Sequence, residues 1–308
     1  MTITAATARN VTRRERRRTL RRGRRLLVIA TVCLLLGITP LLAILAIQGG
    51  NARREAAEAA SHEAAQAEWM PTEQKRVLER AKAYNRSLAS SGQHAIGSIT
   101  NPQTGTVDFS AKADKEYWNT LKGSQGVMGT IRIPHIGVTL PIRHGSDESA
   151  LANGAGHLYG TSLPVGGKDT HTVITAHRGV PDKELFTRLD EMRKGDVFYL
   201  AAAGRTIAYK VVRTDTVDPQ DTSQVRIRKG RDLATLLTCT PYGVNTQRLL
   251  VTGERVRMPE DAPRPEDAPR DMKPVWVGLG VGAFVLTVGL IIIPARPTIV
   301  GGHLKRRA

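Results

Sequence analysis

Cysteine is scarce in this chain: two in 308 residues. Cys33 lies inside an uncharged apolar run, where it reads as a small apolar residue facing lipid. Cys239 then stands alone, which excludes a disulfide framework and invites a reactive thiol. No cysteine–histidine cluster has zinc spacing, so no metal is expected. No phosphate-binding loop is present either. Gly166-Gly167 reads as a turn, and no cofactor is expected. Acidic residues are nearly missing from the two ends. Residues 1–25 hold ten arginines against one glutamate, and residues 296–308 hold four cations and no acid. These two ends therefore carry +13 of the net charge of +17. The excess flanks two apolar runs and does not spread over the middle of the chain, so no nucleic-acid partner is expected.

Those runs are residues 26–48, with 23 uncharged positions, and residues 275–294, with 20. Each is long enough to cross a hydrocarbon core of about 30 Å. Basic flanks on the outer ends place both termini in the cytoplasm and residues 49–273 outside it, on the cell membrane. The first run exceeds the ~7–15 residues of a signal-peptide core, which favours a retained anchor. Ala43 and Ala46 keep cleavage open as the alternative.

The order along the chain is then a basic tail (1–25), a span (26–48), a helical stalk with a break after it (49–112), a β-rich domain (113–257), a spacer (258–274), a second span (275–294) and a basic tail (295–308). Pro71 splits the helical stretch into 52–68 and 72–88. The first half, mostly Ala and Glu, reads as a solvated stalk. The second carries Val77, Leu78, Ala81, Tyr84 and Leu88 at helical spacing and is expected to pack on the domain. Residues 92–112 lack periodicity. They read as a flexible linker. The spacer repeats Pro-Glu-Asp-Ala-Pro-Arg at 259–264 and 265–270, a semi-rigid extended segment. Strands are expected at 129–133, 138–142, 172–176, 197–202, 206–214, 235–239 and 248–257, with one short helix at 184–191. Many short strands argue for a sandwich or a closed barrel, mainly β in class.

The chemistry concentrates near residues 234–255. Apolar runs 233–239 and 248–251 flank a turn-rich octet containing Pro241, Gly243 and Asn245. If the two runs pair as antiparallel strands, Cys239 ends one and Arg248 opens the next. A fixed cation beside a thiol favours its thiolate, the nucleophilic form. A cysteine nucleophile also needs a proton-handling partner. His177, at the mouth of the β-branched run before Arg178-Gly179, is the candidate. No Asp or Asn stands out to orient it. His144 and His157 read as structural, as do His62, His94, His135, His171 and His303.

Thr235-Leu236-Leu237-Thr238-Cys239 resembles the TLxTC signature of sortases, and the likeness continues through Thr240-Pro241-Tyr242-Gly243, Asn245 and Arg248-Leu249-Leu250-Val251. Upstream it takes in Leu140-Pro141-Ile142, Gly156-His157, Thr161-Ser162-Leu163-Pro164 and Thr175-Ala176-His177-Arg178-Gly179. The pattern is most similar to class C, pilin-polymerising sortases of Gram-positive bacteria. The resemblance implies an eight-stranded β-barrel and a catalytic set of His177, Cys239 and Arg248. Arg248 would hold substrate or stabilise an oxyanion. The implied substrates are pilin or surface proteins bearing an LPxTG-type signal, cleaved through a thioester on Cys239 and passed to a pilin lysine. It also implies a lid at residues 92–112, although the family's Asp-Pro-aromatic motif is absent. Asn101-Pro102-Gln103 and Asp108-Phe109 are its nearest pieces. A housekeeping sortase serving the cell wall, a simple cysteine peptidase and a non-catalytic membrane scaffold stay open as alternatives, as does the oligomeric state.

Overall fold

The structure is a computed structural model that describes residues 13–93, 95–97, 113–123 and 126–259, with residues 276, 278, 280–284 and 287. The expected spacer, most of the second span, both extreme tails and most of the 92–112 break lie outside the described residues. The chain divides into two units, residues 1–43 with 272–308, and residues 44–271. The helix α1 (Arg13–Ala67), which begins in the first and ends in the second, carries the first apolar run. Leu26, Val28, Ile29, Leu35, Leu36 and Leu42 are all exposed there, and so is Cys33. Among the described residues this is the one helix long and apolar enough to cross a membrane.

In the second unit eight strands close a barrel: β1 (Val127–Ile133), β2 (Val138–His144), β3 (Ala155–His157), β4 (Thr170–Thr175), β5 (Val197–Ala202), β6 (Arg205–Val217), β7 (Asp232–Thr240) and β8 (Gln247–Val256). The order round the barrel is β1-β2-β3-β4-β7-β8-β6-β5, with β5 returning to β1. The β2–β3 and β4–β7 pairs are parallel and the others antiparallel. Seven strands fall where the sequence places them. β3 was not read: three residues with a central glycine carry no period, and the strand exists because β2 and β4 pair with it. Side chains such as Met128, Ile131, Ile142, Ile174, Leu236 and Val251 fill the interior. Every residue of β4 is buried, as expected for a strand covered on both faces.

Helix α2 (Pro71–Ser91) begins with Pro71 in its first turn and ends at Gly92 in the left-handed conformation. Leu78, Ala81 and Tyr84 are buried against the barrel, with Val77 and Leu88 partly so, as the periodicity predicts. Asn85 adds a two-way bond with the backbone of Leu163, at 2.7 and 3.1 Å.

Two local expectations are corrected. Residues 52–68 are not a solvated stalk. They continue α1 without a break through Gly49-Gly50 and lie against the barrel. Glu55, Ala59, His62 and Gln66 form a buried stripe at helical spacing. The stripe is polar, so apolar periodicity could not reveal it. Glu58 pairs with Arg143, Glu63 with Arg132 and Thr130, and Gln66 accepts from Gly204 N–H. The His62 ring sits so close over Gly123 that a Cβ there would overlap it. The second correction concerns residues 184–191, which form turns and a short 3-10 segment, Leu189–Glu191, not an α-helix. Phe186 N–H donates to His177 O at 3.0 Å, a partner outside any local helix.

Near the short helices α3 (Lys115–Asn119) and α4 (Glu148–Ala152), Tyr117 is fully buried among Tyr84, Trp118, His144, His157 and Tyr159. Its hydroxyl accepts from Gly145 N–H at 2.8 Å and meets His157 Nδ1 at 3.0 Å, while His157 Nε2 meets Ser162 O at 2.8 Å. A neutral imidazole protonated on Nε2 satisfies both contacts. Burial pushes His157 down to about 4. His171, between Arg226 O at 2.9 Å and Thr235 Oγ1 at 2.7 Å, is likewise pushed down to about 4 by burial.

Tyr117→Phe would leave Gly145 N–H and His157 Nδ1 without their partner. It is expected to cost roughly 1–3 kcal/mol in chemical denaturation. Both imidazoles bind protons more readily in the unfolded chain, whose value is 6.5. Their contribution is therefore complete above that pH and is lost as pH falls toward 4. Each would account for on the order of 3 kcal/mol when fully protonated. The Tm of the full chain should thus fall steeply on acidification across this window, and a flat profile would contradict the neutral, buried assignment.

Candidate active site

Two strand pairings set the geometry. β7 and β8 are antiparallel neighbours, and their register sets Cys239 opposite Arg248. Directly opposed residues on such a ladder have Cα atoms about 4.5–5.5 Å apart. The sequence-based pairing of thiol and guanidinium therefore agrees with the fold. The second pairing was not visible in the sequence. β4 runs parallel to β7, with Thr175 opposite Leu237. Parallel strands end at the same rim. Ala176 N–H donates to Leu237 O at 3.2 Å, and the buried Thr238 hydroxyl donates to Ala176 O at 2.8 Å. His177 follows directly, level with Cys239 on the neighbouring strand.

Cys239, His177 and Arg248 are all half-buried and line one groove of about 770 Å³. Leu158, Val217, Val225, Leu237 and Leu250 give the groove an apolar floor. Leu237 and Leu250 are themselves a cross-strand pair. Asp218, Gln220 and Asp221 supply a polar edge. Ile96 and Gly97, the last described residues before 98–112, also line it. A second cleft of about 760 Å³ between α2 and residues 166–170 and 226–229 is basic and is lined by no cysteine or histidine.

Arg248 is held by its own turn. Nη1 donates to Asn245 O at 3.1 Å and to Gln247 O at 3.0 Å. Guanidinium has five N–H donors. Nη1 spends its two, so the Nε and Nη2 donors stay available to a ligand. The turn itself has Gly243 and Asn245 in the left-handed region, with Val244 and Asn245 N–H both donating to Pro241 O.

Further side chains tie the histidine loop to the cysteine turn, and sequence reasoning assigned them no part. Arg178, 9% exposed, donates to Thr240 Oγ1 at 3.2 Å and pairs with Asp190 at 2.7 Å. Gly179 has φ +77°, and a Cβ there would meet the Tyr242 ring at 3.1 Å. The signal for Arg178 and Gly179 was their place beside His177, but only the tertiary structure supplies their partners. His144 and His157 lie with Tyr117, outside the groove, and His171 bonds to Thr235 on β7 and to the Arg226 carbonyl, in keeping with structural roles. Among the described residues no group of acidic, histidine or cysteine side chains could hold a metal ion.

Residues 131–256 match the family model described as the sortase domain. Sortase D of Bacillus subtilis (strain 168) is 31% identical over 131 residues, covering 42% of this chain and 63% of that protein. Sortase A of Streptococcus agalactiae is 29% identical, covering 42% and 52%. The chain thus spans less than two thirds of the length of these curated relatives. Solved structures align more fully. Sortase C1 of Streptococcus agalactiae is 38% identical with a TM-score of 0.58, covering 67% of this chain and 99% of that one. Sortase C-1 of Actinomyces oris is 43% identical with a TM-score of 0.52, covering 61% and 100%. With these class C structures covered almost end to end at such identity, the chain belongs to the sortase family and, within it, to class C.

Proposed function

We propose that this protein is a membrane-anchored cysteine transpeptidase that joins pilin subunits. The observation that carries the reading is the convergence of Cys239, His177 and Arg248 on one apolar-floored groove. Similarity to solved class C sortases supports the pilin substrate, one of them being described as pilus-related. The exposed apolar run of α1 supports the anchor, with residues 49–273 outside the cytoplasm. In this reading residues 1–25 and 295–308 are cytoplasmic tails and residues 275–294 a second span.

The Cys239 thiolate attacks the carbonyl carbon between Thr and Gly of an LPxTG-type signal. The C=O electron pair moves onto oxygen, and the tetrahedral oxyanion forms. The free donors of Arg248 lie on the adjacent strand and are available to that oxygen or to the substrate backbone. Collapse of the intermediate breaks the C–N bond, and protonated His177 gives its proton to the departing glycine amine. A thioester remains on Cys239. A lysine amine of another pilin then attacks, His177 takes its proton, and the thiolate leaves. The product is an isopeptide. The leucine and proline of the signal match the floor made by Val217, Leu237 and Leu250. Burying a leucine side chain contributes about 1.5–3 kcal/mol. An apolar groove also keeps water from the thioester, which would otherwise be hydrolysed.

Intact mass spectrometry of the full chain with an LPxTG-type peptide is expected to show an acyl adduct on the wild type and none on Cys239→Ala. His177→Ala should lower acyl transfer by at least about 10²-fold, the scale of a lost general acid–base. Arg248→Lys keeps the charge but loses the planar donor set, and a fall of about tenfold or more in kcat/KM is expected. With pilin present, a covalent high-mass ladder supports this reading. Single adducts on a cell-wall precursor would instead favour the housekeeping role, and hydrolysis alone a peptidase.

A further inference from the structure

His177 is fixed on one side by the barrel, because Ala176 is bonded at both its N–H and its carbonyl to β7. On the other side the chain enters a loop. The base of that loop is closed by Phe186 N–H on His177 O and by Gly179 N–H on Thr187 Oγ1 at 3.2 Å. Its tip, residues 181–183, points to a different set of partners. Gln48 Nε2 donates to Pro181 O at 2.8 Å. Asn51 Nδ2 donates to Asp182 O at 2.9 Å. Glu55 pairs with Lys183 at 3.1 Å, and Lys183 Nζ also donates to Ala152 O at 2.5 Å.

The three α1 residues stand at i, i+3 and i+7, one face of the helix, starting from Gln48 at the end of the apolar run. Each takes one of three consecutive loop residues. Pro181 and Asp182 are exposed, so water would serve their carbonyls equally well. Hydrogen bonds of this kind add little net stability. What they add is position, since a carbonyl held by an amide on a rigid helix is fixed in space. The Glu55–Lys183 pair differs in being largely buried, at 9% and 19% side-chain exposure.

We propose that Gln48, Asn51 and Glu55 are positioning residues, which hold the 181–183 tip and through it the orientation of His177 toward Cys239. The proposal rests on the reading of His177 as the proton-transfer group. The helix turns from the end of the membrane run onward would then help position the catalytic groups and not merely tether the domain. Small displacements suffice, because misplacing a reacting group by about 1 Å can cost ~10²-fold in rate.

The test uses the full chain in detergent micelles, with four variants: Gln48→Ala/Asn51→Ala, Lys183→Met, Lys183→Arg and His177→Gln. Acyl transfer to an LPxTG-type peptide gives kcat and KM. Alkylation of Cys239 by iodoacetamide across pH reports the thiol and its histidine without any sorting signal. The double variant and Lys183→Met are expected to lose about tenfold in kcat with KM within about twofold, and to shift the alkylation profile toward that of His177→Gln. Lys183→Arg should retain the charge and restore the rate. Wild-type kcat and an unshifted alkylation profile in both disrupting variants would overturn the proposal. So would losses that track a lowered Tm and vanish on cooling. If His177→Gln itself leaves both readouts unchanged, the reading of His177 fails, and the positioning claim fails with it. If the peptide is not turned over but the alkylation profile shifts as expected, the substrate reading fails and the positioning claim stands.

Discussion

The parallel register between β4 and β7 is the constraint on which the site depends. It brings two strand ends, separated by 62 residues of chain, to one rim. Side chains alternate faces along a strand, so a one-residue slip would turn His177 or Cys239 away from the groove. The buried Thr238 hydroxyl on Ala176 O resists that slip at the position where it matters. β8 then adds Arg248 from the other side by ordinary antiparallel pairing. The three candidate groups thus sit on neighbouring backbones. The rigid barrel supplies their spacing and the loops need only finish their orientation.

Polar contacts do much of that finishing. Arg178 fastens the histidine loop to Thr240 and Asp190, while Gly179 leaves room for the Tyr242 ring beside it. The far tip of the loop reaches α1 through Gln48, Asn51 and Glu55. Further along, the same helix is held by Glu58 and Glu63 on Arg143 and Arg132. Each such pair gains little over water but is costly to break when only one partner is removed. Its value is specificity of position. The apolar work is done elsewhere, by the barrel interior and by the face of α2 that carries Leu78, Ala81 and Tyr84.

The groove combines an apolar floor with charged chemistry at its rim. Leu237 and Leu250 each lie two positions inside the candidate residues on their strands, since β7 runs out toward Cys239 and β8 runs in from Arg248. A peptide lying along this floor would meet the thiol where the strands end. The basic cleft beside α2 has a similar volume but is lined by no cysteine or histidine, so size alone would not have distinguished the two.

Much of this was legible in the chain itself. Seven strands, the break at Pro71 and the apolar run of α1 follow from local pattern, because alternation, ring constraint and hydropathy are properties of neighbouring residues. The candidate trio was legible too, since a lone thiol, a histidine at a strand mouth and an arginine across a turn are chemical rarities that stand out without a fold. The strand β3, the parallel seam of β4 on β7 and the turns at 184–191 were not, because each depends on partners distant in sequence. The docking of residues 52–68 was hidden for a related reason. Its stripe of Glu55, Ala59, His62 and Gln66 has no apolar period, and only the barrel supplies the cations and backbone groups that make such a surface worth burying. Local chemistry therefore marked out the candidate residues and the segments with a pattern of their own. The tertiary structure decided which of them meet, because hydrogen-bond partners across the barrel have no signature in the residues that lie between them.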